Sequence, residues 1–521
     1  MIDVGKDPKV GEERVPIFIP AEYIKLPPGQ SYKRLLSIAS EELMRFAVQP
    51  PKVNKDFICG PGRAVLNLDN NTLLTSFGIT VGNGLVRVPG RELPEPKLVY
   101  RNINGGEKQP KPQKREKGTW NLTGKKVAVP GKEVRRWTYM HSLSDRSKVR
   151  AEINALVSAM KDMGININAA PTASYYNPEF SKDTIAEVFG ELGKRKPRLQ
   201  LLLVVLPTDN ARIYDWVKQK GDIESGVHTV CLLQNKFVRA GPDYYANVGL
   251  KVNLKFRGVN HRLESPHELI SAGKTMFVGY GVTHPTSLGA TSSSDAPSIA
   301  GLVASMDPGL SQWPAWTWSI PSKEEMVQND LQSIFKACLE HWKTWERFPK
   351  SGPRLSTRNR RRALPDNIII YRDGVSQGQF TQVLDRELRE IRAACREVSW
   401  GEKPRLTIIV SVKRHSTRFY PENPDDENSN NDRAGKKKRD GNPKAGTVVD
   451  RGVTSVHYWD FFLQAHKATQ GKWLQAYLGT LGKCADRNQA LLARHITPCF
   501  WTRFSATDME ILGTQLPSSR R

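Results

Sequence analysis

Cysteine is scarce in this sequence: there are six in 521 residues, and no two form a CxxC pair. They are Cys59, Cys231, Cys338, Cys395, Cys484 and Cys499. Structural zinc modules and disulfide-rich scaffolds need closely spaced cysteines, so the spacing argues against both classes. We expect reduced thiols and an intracellular protein, in the cytoplasm or the nucleus.

Long apolar runs are also missing. No run approaches the ~20 residues that a helix needs to cross a bilayer. The N-terminus lacks the charged and apolar regions of a signal peptide. We therefore expect a soluble protein without a membrane partner, and a monomer. Hydrophobic residues still make up 38% of the chain, enough for two or three domains with cores of their own.

Acidic residues are outnumbered, with 53 Asp and Glu against 78 Lys and Arg and a formal net charge of +25. Such an excess attracts polyanions at long range. Nucleic acid or an anionic membrane surface is the natural partner of such a chain.

The hydrophobic pattern predicts two consecutive α/β units. RLQLLLVVLP, at 198–207, is a continuous apolar run typical of a buried parallel strand, and KVRAEINALVSAMKDMG, at 148–164, has helical period. We also expect short strands within 61–100, a helix over 322–347, and a disordered polar insertion over 421–445.

Two pairs of residues in the first unit share helix faces. Tyr214 and Lys218 lie four residues apart, and so do Lys251 and Lys255. Their side chains could converge at the carboxyl end of strand 199–206, where open α/β sheets bind phosphate. Spacing alone favours the simpler interpretation of two amphipathic helices with solvated lysines.

A resemblance to a known family changes that balance. LPTDNARIYDWVKQKGDIESGVHTVCL, followed by NVGLKVNLKFRGVN, resembles the MID domain of eukaryotic Argonautes. The resemblance implies that Tyr214, Lys218, Lys251 and Lys255 hold the 5′ phosphate of a guide RNA, with the tyrosine ring stacked on the first base. Val230 stands where the family usually has Gln, and Gln234 is a nearby candidate to replace it.

The second unit resembles the ribonuclease H-like PIWI domain of Argonautes. The stretches that carry the resemblance are GVTHP, PSIAGLVASMD, YRDGVSQGQFTQVLDREL, VKRHSTRF and FFLQAHKATQG. The family cuts RNA with Mg²⁺ ions that share carboxylate ligands. Asp373, in YRDG, matches one metal ligand, and Glu325 matches the glutamate, with Glu324 as the alternative. Gly281 stands at the first aspartate position, so we expect cleavage to be lost or nearly lost.

The resemblance divides the chain into five segments. Residues 1–60 resemble the end of the guide 3′-end-binding PAZ domain, and residues 61–130 a linker region. The MID domain takes residues 131–270 and the PIWI domain residues 271–471. Residues 472–521 form a tail without resemblance. Because Met1 falls near the end of a PAZ domain, we expect the protein to be short at its N-terminus.

The tail has a possible origin in a retained intron. Codons for Gly471-Lys472-Trp473 can contain a splice donor, and those for Asn488-Gln489 can end in an acceptor. Removing that segment shifts the frame, and reading on then permits a phrase that resembles the continuation of Argonautes. We expect the tail to be a translation artefact that lacks the last active-site residue. A genuinely divergent tail is the alternative.

Three functional hypotheses follow. The first is an Argonaute-like protein that anchors the 5′ phosphate of a small guide RNA and pairs the guide with target RNA, together with silencing-complex proteins. The second is an active Mg²⁺-dependent endoribonuclease, if Gly281 and the tail are sequence errors. The third is a pseudogene product that folds poorly.

Overall fold

The computed structural model describes residues 2–6, 16–20, 25, 49–101, 107–108, 122, 124–168, 170–284, 296–327, 330–345, 364–398, 404–412, 415–431, 437–456, 459–465 and 475–481. Contacts divide the chain into two units. The first comprises residues 1–49 and 286–294, and its described part is an antiparallel pair, β1 (Ile2–Lys6) and β2 (Pro16–Ile19). The second unit contains all the elements below, including both of the predicted α/β units.

Short helices begin the second unit. Its first elements are α1 (Pro51–Cys59), α2 (Pro61–Val65), α3 (Thr72–Ser76), β3 (Arg91–Glu92), β4 (Leu98–Arg101) and β5 (Glu107–Lys108). The expectation of strands over 61–100 is therefore wrong for residues 61–90 and right only for β3 and β4. Helix α3 forms because the side-chain oxygen of Asn71 accepts hydrogen bonds from the backbone N–H groups of Leu73 and Leu74, at 3.0 and 3.1 Å. Apolar alternation does not reveal such a cap.

The first α/β unit follows the predicted pattern. Its elements are β6 (Trp137–His141), α4 (Arg146–Asp162), β7 (Ser174–Tyr176), α5 (Lys182–Lys194), β8 (Leu201–Leu206), α6 (Ala211–Lys218), a π-helical turn (Gln219–Ser225), β9 (His228–Leu233), α7 (Gln234–Phe237) and α8 (Pro242–Lys255). Among the described residues, the four strands are parallel in the order β7-β6-β8-β9. Every residue of β8 is buried, as its continuous apolar run predicts.

A larger mixed sheet forms the second α/β unit. Its elements are β10 (Arg262–Leu263), α9 (Glu268–Ser271), β11 (Thr275–Thr283), β12 (Ser298–Ala304), β13 (Ala315–Ile320), α10 (Leu331–Thr344), β14 (Asn367–Asp373), α11 (Phe380–Gln382), a second π-helical turn (Val383–Glu387), α12 (Leu388–Val398), β15 (Arg405–Val412), β16 (Glu427–Asn431), β17 (Lys437–Pro443), β18 (Thr447–Val449), β19 (Trp459–Gln464) and β20 (Gln475–Leu481). In the described part of the chain the sheet order is β13-β12-β11-β14-β15-β20-β19-β18-β3. The central strands β11, β14 and β15 are parallel.

Both faces of this sheet are buried. Ile368 and Ile370 of β14 join one core with residues of α10 and α12, whereas Ile369 joins a second core with Phe277 and Phe461. Alternate residues of a strand point to opposite faces, so a strand buried on both faces needs an unbroken apolar run such as NIII.

The helix predicted over 322–347 is shorter than expected, because α10 begins only at Leu331. Buried side chains hold the preceding segment in another conformation. Arg372 donates a hydrogen bond to the carbonyl oxygen of Glu325 at 2.6 Å, and the backbone N–H of Val327 donates to Glu387 at 3.1 Å. The Glu325 carbonyl and the Val327 N–H, which a helix would use for its own hydrogen bonds, are therefore bonded to buried side chains.

Two segments for which the hydrophobic pattern predicted neither helix nor strand, 421–445 and 472–521, contain strands. Within 421–445, β16 and β17 form an antiparallel hairpin, so the expectation of disorder is wrong for their residues. Within the tail 472–521, β20 lies between β15 and β19 in the large sheet, while residues 472–474 and 482–521 lie outside the described residues. The origin of the tail remains a prediction.

Two sequence expectations concern thiols and membranes. In the described part of the chain, Cys59, Cys231, Cys338 and Cys395 are free thiols. None of the helices that the structure describes is long and apolar enough to cross a membrane.

Candidate nucleic-acid site

Helix α6 carries the first pair of predicted binding residues. It begins after Asn210, whose side chain accepts a hydrogen bond from the Arg212 N–H at 2.9 Å. Tyr214 and Lys218 then share a helix face, and the Lys218 ammonium lies 5.5 Å from the centre of the Tyr214 ring. This distance is within the range of a cation–π contact.

A π-helical turn directly follows Lys218 and brings an acid to it. The Lys218 ammonium donates hydrogen bonds to the carbonyl oxygen and the hydroxyl of Thr229, at 3.1 and 2.9 Å. A carboxylate oxygen of Asp222 lies 3.4 Å from the same nitrogen. The Thr229 hydroxyl in turn donates to Asp222 at 3.2 Å. The half-buried Lys218 and the buried Thr229 and Asp222 thus form one polar cluster at the amino-terminal part of β9.

Helix α8 brings the second pair to the same cluster. Lys251 is exposed on its surface, whereas Lys255 is buried at the last helical position. Burial, together with the nearby Lys218 charge, lowers the pKa of Lys255 to about 8, although Asp222 acts in the opposite direction. Burial and Lys255 also lower the pKa of His228 to about 4, so that His228 is neutral at physiological pH. The structure therefore brings Lys218, Lys251 and Lys255 together, whereas the sequence only predicted that they lie on two helices.

The position of the cluster differs from the one expected. Thr229 lies beside Leu202, at the amino end of β8, because His228 pairs with Leu201. The cluster is therefore at the amino ends of the strands and not in the crevice at their carboxyl ends. The reason is the direction of α6: a helix that joins parallel strands runs antiparallel to them, so its last turn returns to the amino edge.

The position of the missing glutamine and its candidate replacement lie away from the cluster's polar groups. Val230, at the glutamine position, is buried in the apolar core of the first α/β unit. Gln234 follows the last residue of β9, about 16 Å from Thr229 at ~3.3 Å per strand residue. Its side-chain oxygen accepts a hydrogen bond from the Ser142 hydroxyl at 2.9 Å. The structure does not bring Gln234 to the lysine cluster.

Sequence reasoning missed Asp222 and Thr229. The available signal was the spacing of Asp222, four residues after Lys218, with Gly221 before it. A Cβ atom on Gly221 would overlap the Thr229 methyl group, so glycine lets the turn pack directly on β9. Helical spacing can indicate Asp222 as a partner of Lys218, whereas Thr229 lies on another element that no local spacing reaches.

The predicted catalytic residues meet at the ends of β11 and β14. Tyr280 pairs with Arg372, which places Gly281 beside Asp373. A Cβ atom on Gly281 would lie 3.3 Å from the Cβ atom of Asp373. The two positions are thus adjacent, but only Asp373 supplies a carboxylate.

Glu325 lies close to the same strand ends. One of its carboxylate oxygens lies 2.8 Å from a ring nitrogen of His284, and the other 3.0 Å from the Arg372 guanidinium. The second oxygen would also lie 3.5 Å from a Cβ atom on Gly374. Of the two candidate glutamates, Glu325 is the one that makes these contacts.

Arg372 is the centre of a buried ionic network. Its guanidinium is fully buried and lies 3.1 Å from a carboxylate oxygen of Glu387, which is also fully buried and accepts a hydrogen bond from the Tyr280 hydroxyl at 2.7 Å. Burial opposes the charge of Arg372, but Glu387 outweighs it, and the pKa of the guanidinium is raised. Because Arg372 also pairs with Glu325, one cation lies between two carboxylates.

The donor set does not fit a pair of Mg²⁺ ions. Among the residues that the structure describes, no group of three or more His, Cys, Asp or Glu side chains is placed to hold a metal. Gly281 has no ligand atom, and Glu325 is held by the Arg372 guanidinium and His284. Two-metal hydrolysis needs carboxylates that both metals share.

Similarity to known proteins covers most of the chain. Residues 201–473 match the Piwi domain family and residues 53–100 the Argonaute linker 2 domain. Protein argonaute 5 of Arabidopsis thaliana is 31% identical over 501 residues, which are 93% of this chain and 47% of that protein. Protein argonaute 10 of the same plant is 33% identical, over 89% of this chain and 46% of that protein. The chain thus spans about half the length of these relatives.

Solved structures agree with this family. The C-terminal lobe of a budding yeast Argonaute is 26% identical, with a TM-score of 0.64 over 80% of this chain and 83% of that one. The Argonaute of Kluyveromyces polysporus, 23% identical, has the same fold, with a TM-score of 0.68 over 94% of this chain and 58% of that one. The four-stranded unit is the MID domain and the larger sheet the ribonuclease H-like PIWI domain, and the chain belongs to the eukaryotic Argonaute family.

Proposed function

We propose that the chain binds a small guide RNA through its 5′ phosphate and presents the guide for pairing with target RNA, without cutting the target. The observation that carries this proposal is the cluster of Lys218, Lys251 and Lys255 around the amino end of β9. Protein contacts would supply affinity for the guide, and base pairing would supply sequence recognition.

The cluster has the chemistry that a terminal phosphate needs. A phosphate monoester carries a charge of about −1.5 to −2 at neutral pH and three strong acceptor oxygens. Ammonium groups that are partly removed from water bind such a group strongly, because charge-assisted hydrogen bonds strengthen when water is excluded. The nearby Tyr214 ring offers a face on which the first base can stack. The Kluyveromyces polysporus protein, which shares this fold, was solved with a guide RNA.

Binding to two short RNAs tests the proposal. The RNAs have the same sequence and differ only in carrying a 5′ phosphate or a 5′ hydroxyl, and their dissociation constants are measured for the full chain. We expect the phosphorylated RNA to bind at least tenfold more tightly, the order of one or two charge-assisted hydrogen bonds. Equal affinities would show that the lysines are only a solvated basic face.

The loss of cutting is the second part of the proposal. It is supported by the adjacency of Gly281 and Asp373, of which only Asp373 has a carboxylate. Incubation of the guide-loaded chain with a fully paired target RNA and Mg²⁺ should leave the target intact. Product cut opposite the middle of the guide, dependent on Mg²⁺, would contradict this part and leave the guide-binding part standing.

An active endoribonuclease is the second candidate function. Asp373 and Glu325 favour it, because both remain near the ends of β11 and β14. It requires aspartate at position 281 in the natural transcript, together with a spliced tail. Sequencing the transcript across codons 281 and 471–490 decides between the two. The expected monomer, the silencing partners and the cytoplasmic location belong to the same proposal.

A further inference from the structure

Lys218 is held by acceptors that belong to the protein itself. An ammonium group has three N–H donors. Around the Lys218 nitrogen lie the Thr229 hydroxyl at 2.9 Å, the Thr229 carbonyl oxygen at 3.1 Å and an Asp222 carboxylate oxygen at 3.4 Å. The two Thr229 contacts are hydrogen bonds, and the Asp222 oxygen lies at ion-pair distance. A phosphate that binds Lys218 therefore approaches an ammonium group that already has an anionic partner of the protein's own.

Asp222 is the acceptor whose charge resembles that of the ligand. Its side chain is 2% exposed and that of Lys218 13%, so their pair lies in a region of low dielectric. The cationic groups that face the same space include Lys251, Lys255 and Arg257, while His228 and Cys231 line it in neutral form. Burial raises the pKa of the Cys231 thiol to about 11, and the His228 pKa is about 4.

We propose that Asp222 is an internal anion of the phosphate site, which occupies Lys218 in the guide-free protein and competes with the guide's 5′ phosphate for that ammonium. The inference rests on the proposed function and concerns how the same site is regulated. When a guide RNA binds, its 5′ phosphate replaces Asp222 as the anionic partner of Lys218. Asp222 thereby stabilises the clustered lysines before a guide arrives, and it weakens the hold on the phosphate afterwards.

The turn offers a matched pair of variants. Asp222→Asn removes the buried charge and retains the shape and one acceptor oxygen. Glu224→Gln removes a charge from the same turn, but Glu224 is at the surface and pairs with Lys220 at 2.7 Å. The two variants change the net charge equally, so any difference between them comes from the contact with Lys218.

The measurement is the affinity of the full chain for the 5′-phosphorylated and 5′-hydroxyl RNAs at about pH 6.5, where an amine with a pKa of about 8 is protonated. We expect Asp222→Asn to bind the phosphorylated RNA about tenfold more tightly than the unsubstituted chain, with little change for the hydroxyl RNA. Glu224→Gln should change neither value by more than about twofold.

Asp222→Ala gives a second test that does not depend on Asp222→Asn folding. It removes the same negative charge together with both carboxylate oxygens, so we again expect the phosphorylated RNA to bind about tenfold more tightly. Thr229→Ser, which retains the hydroxyl that contacts Lys218 and Asp222, should bind like the unsubstituted chain. If a folded variant of Asp222 binds the phosphorylated RNA with unchanged or lower affinity, the inference is overturned and the proposed function stands. If the unsubstituted chain itself does not prefer the phosphate, the proposed function fails, and the inference fails with it.

Discussion

The MID and PIWI domains of this chain each contain a cluster of charged side chains, and the two clusters differ in the sign that predominates: cations in MID and carboxylates in PIWI. In MID, Lys218 and Lys255 lie near Asp222, and the pKa of Lys255 is lowered because burial and the neighbouring cation prevail. In PIWI, the single cation Arg372 lies between Glu325 and Glu387. Cations therefore predominate in the first cluster, whereas in the second a single cation of the protein lies between two carboxylates.

The two arrangements differ in what a bound ligand could stabilise. Buried like charges cost stability, and an oppositely charged ligand offsets that cost when it binds. In MID, burial and the neighbouring cation lower the pKa of Lys255, whereas in PIWI burial is outweighed by Glu387, which raises the pKa of Arg372. We therefore expect the two clusters to respond differently to substitution, pH and ligand.

The largest effect should come from breaking the PIWI network. Arg372→Met leaves Glu387 buried without its cation, and we expect the free energy of unfolding to fall by about 3–5 kcal/mol. Chemical denaturation of the full chain measures this loss. Lys336→Met is the control, because it breaks the exposed pair with Glu397 and should leave the unfolding midpoint unchanged. If Arg372→Met and Lys336→Met lower the free energy of unfolding by the same small amount, the Arg372 network does not stabilise the fold.

The next effect concerns the MID cluster. Lys255→Met keeps the length and the apolar stem of the buried side chain but removes its charge. We expect the preference for 5′-phosphorylated over 5′-hydroxyl RNA to fall by about 10- to 100-fold, the order of a charge-assisted hydrogen bond. Lys194→Met, at the exposed end of α5, is the matched control and should retain the preference. If Lys255→Met keeps the preference for 5′-phosphorylated RNA, the charge of Lys255 does not contribute to phosphate binding.

The affinity for the phosphorylated RNA should also depend on pH. The pKa of Lys255 is about 8 in the folded chain, below its ordinary value of 10.5. Above pH 8 phosphate binding must first take up a proton, so the affinity should fall by up to about tenfold per pH unit. The 5′-hydroxyl RNA should show no such fall. Burial of the charged amine destabilises the fold fully below pH 8, and this cost disappears as the pH rises toward 10.5, so unfolding cannot explain the fall.

The smallest effect should come from Gly281→Asp, which supplies the missing carboxylate in PIWI. Its Cβ atom would lie 3.3 Å from that of Asp373, so the neighbouring strand must move by a few tenths of an ångström. The two adjacent carboxylates repel each other, and Mg²⁺ relieves that repulsion. We expect Mg²⁺ to raise the unfolding temperature of this variant and not that of Gly281→Ala. Equal responses would mean that a second carboxylate does not create a metal site here.

Much of the fold could be predicted from the sequence because its signals are local or carried by family motifs. The continuous apolar runs of β8 and β14 require burial on both faces, and the period of α4 and α8 requires helices. The late start of α10 could not be predicted in this way. It depends on Arg372 and Glu387, which are distant in sequence and take the backbone groups of the preceding segment.

The family motifs in the sequence identified Lys218, Lys251 and Lys255 in MID, and Gly281 and Asp373 in PIWI. Which of these groups interact with one another became visible only in the folded chain. The tertiary structure placed Asp222 and Thr229 against Lys218, and it moved the cluster to the amino edge of the sheet. The physical reason is that Coulomb and hydrogen-bond energies depend on distance and burial, which only the packed chain defines.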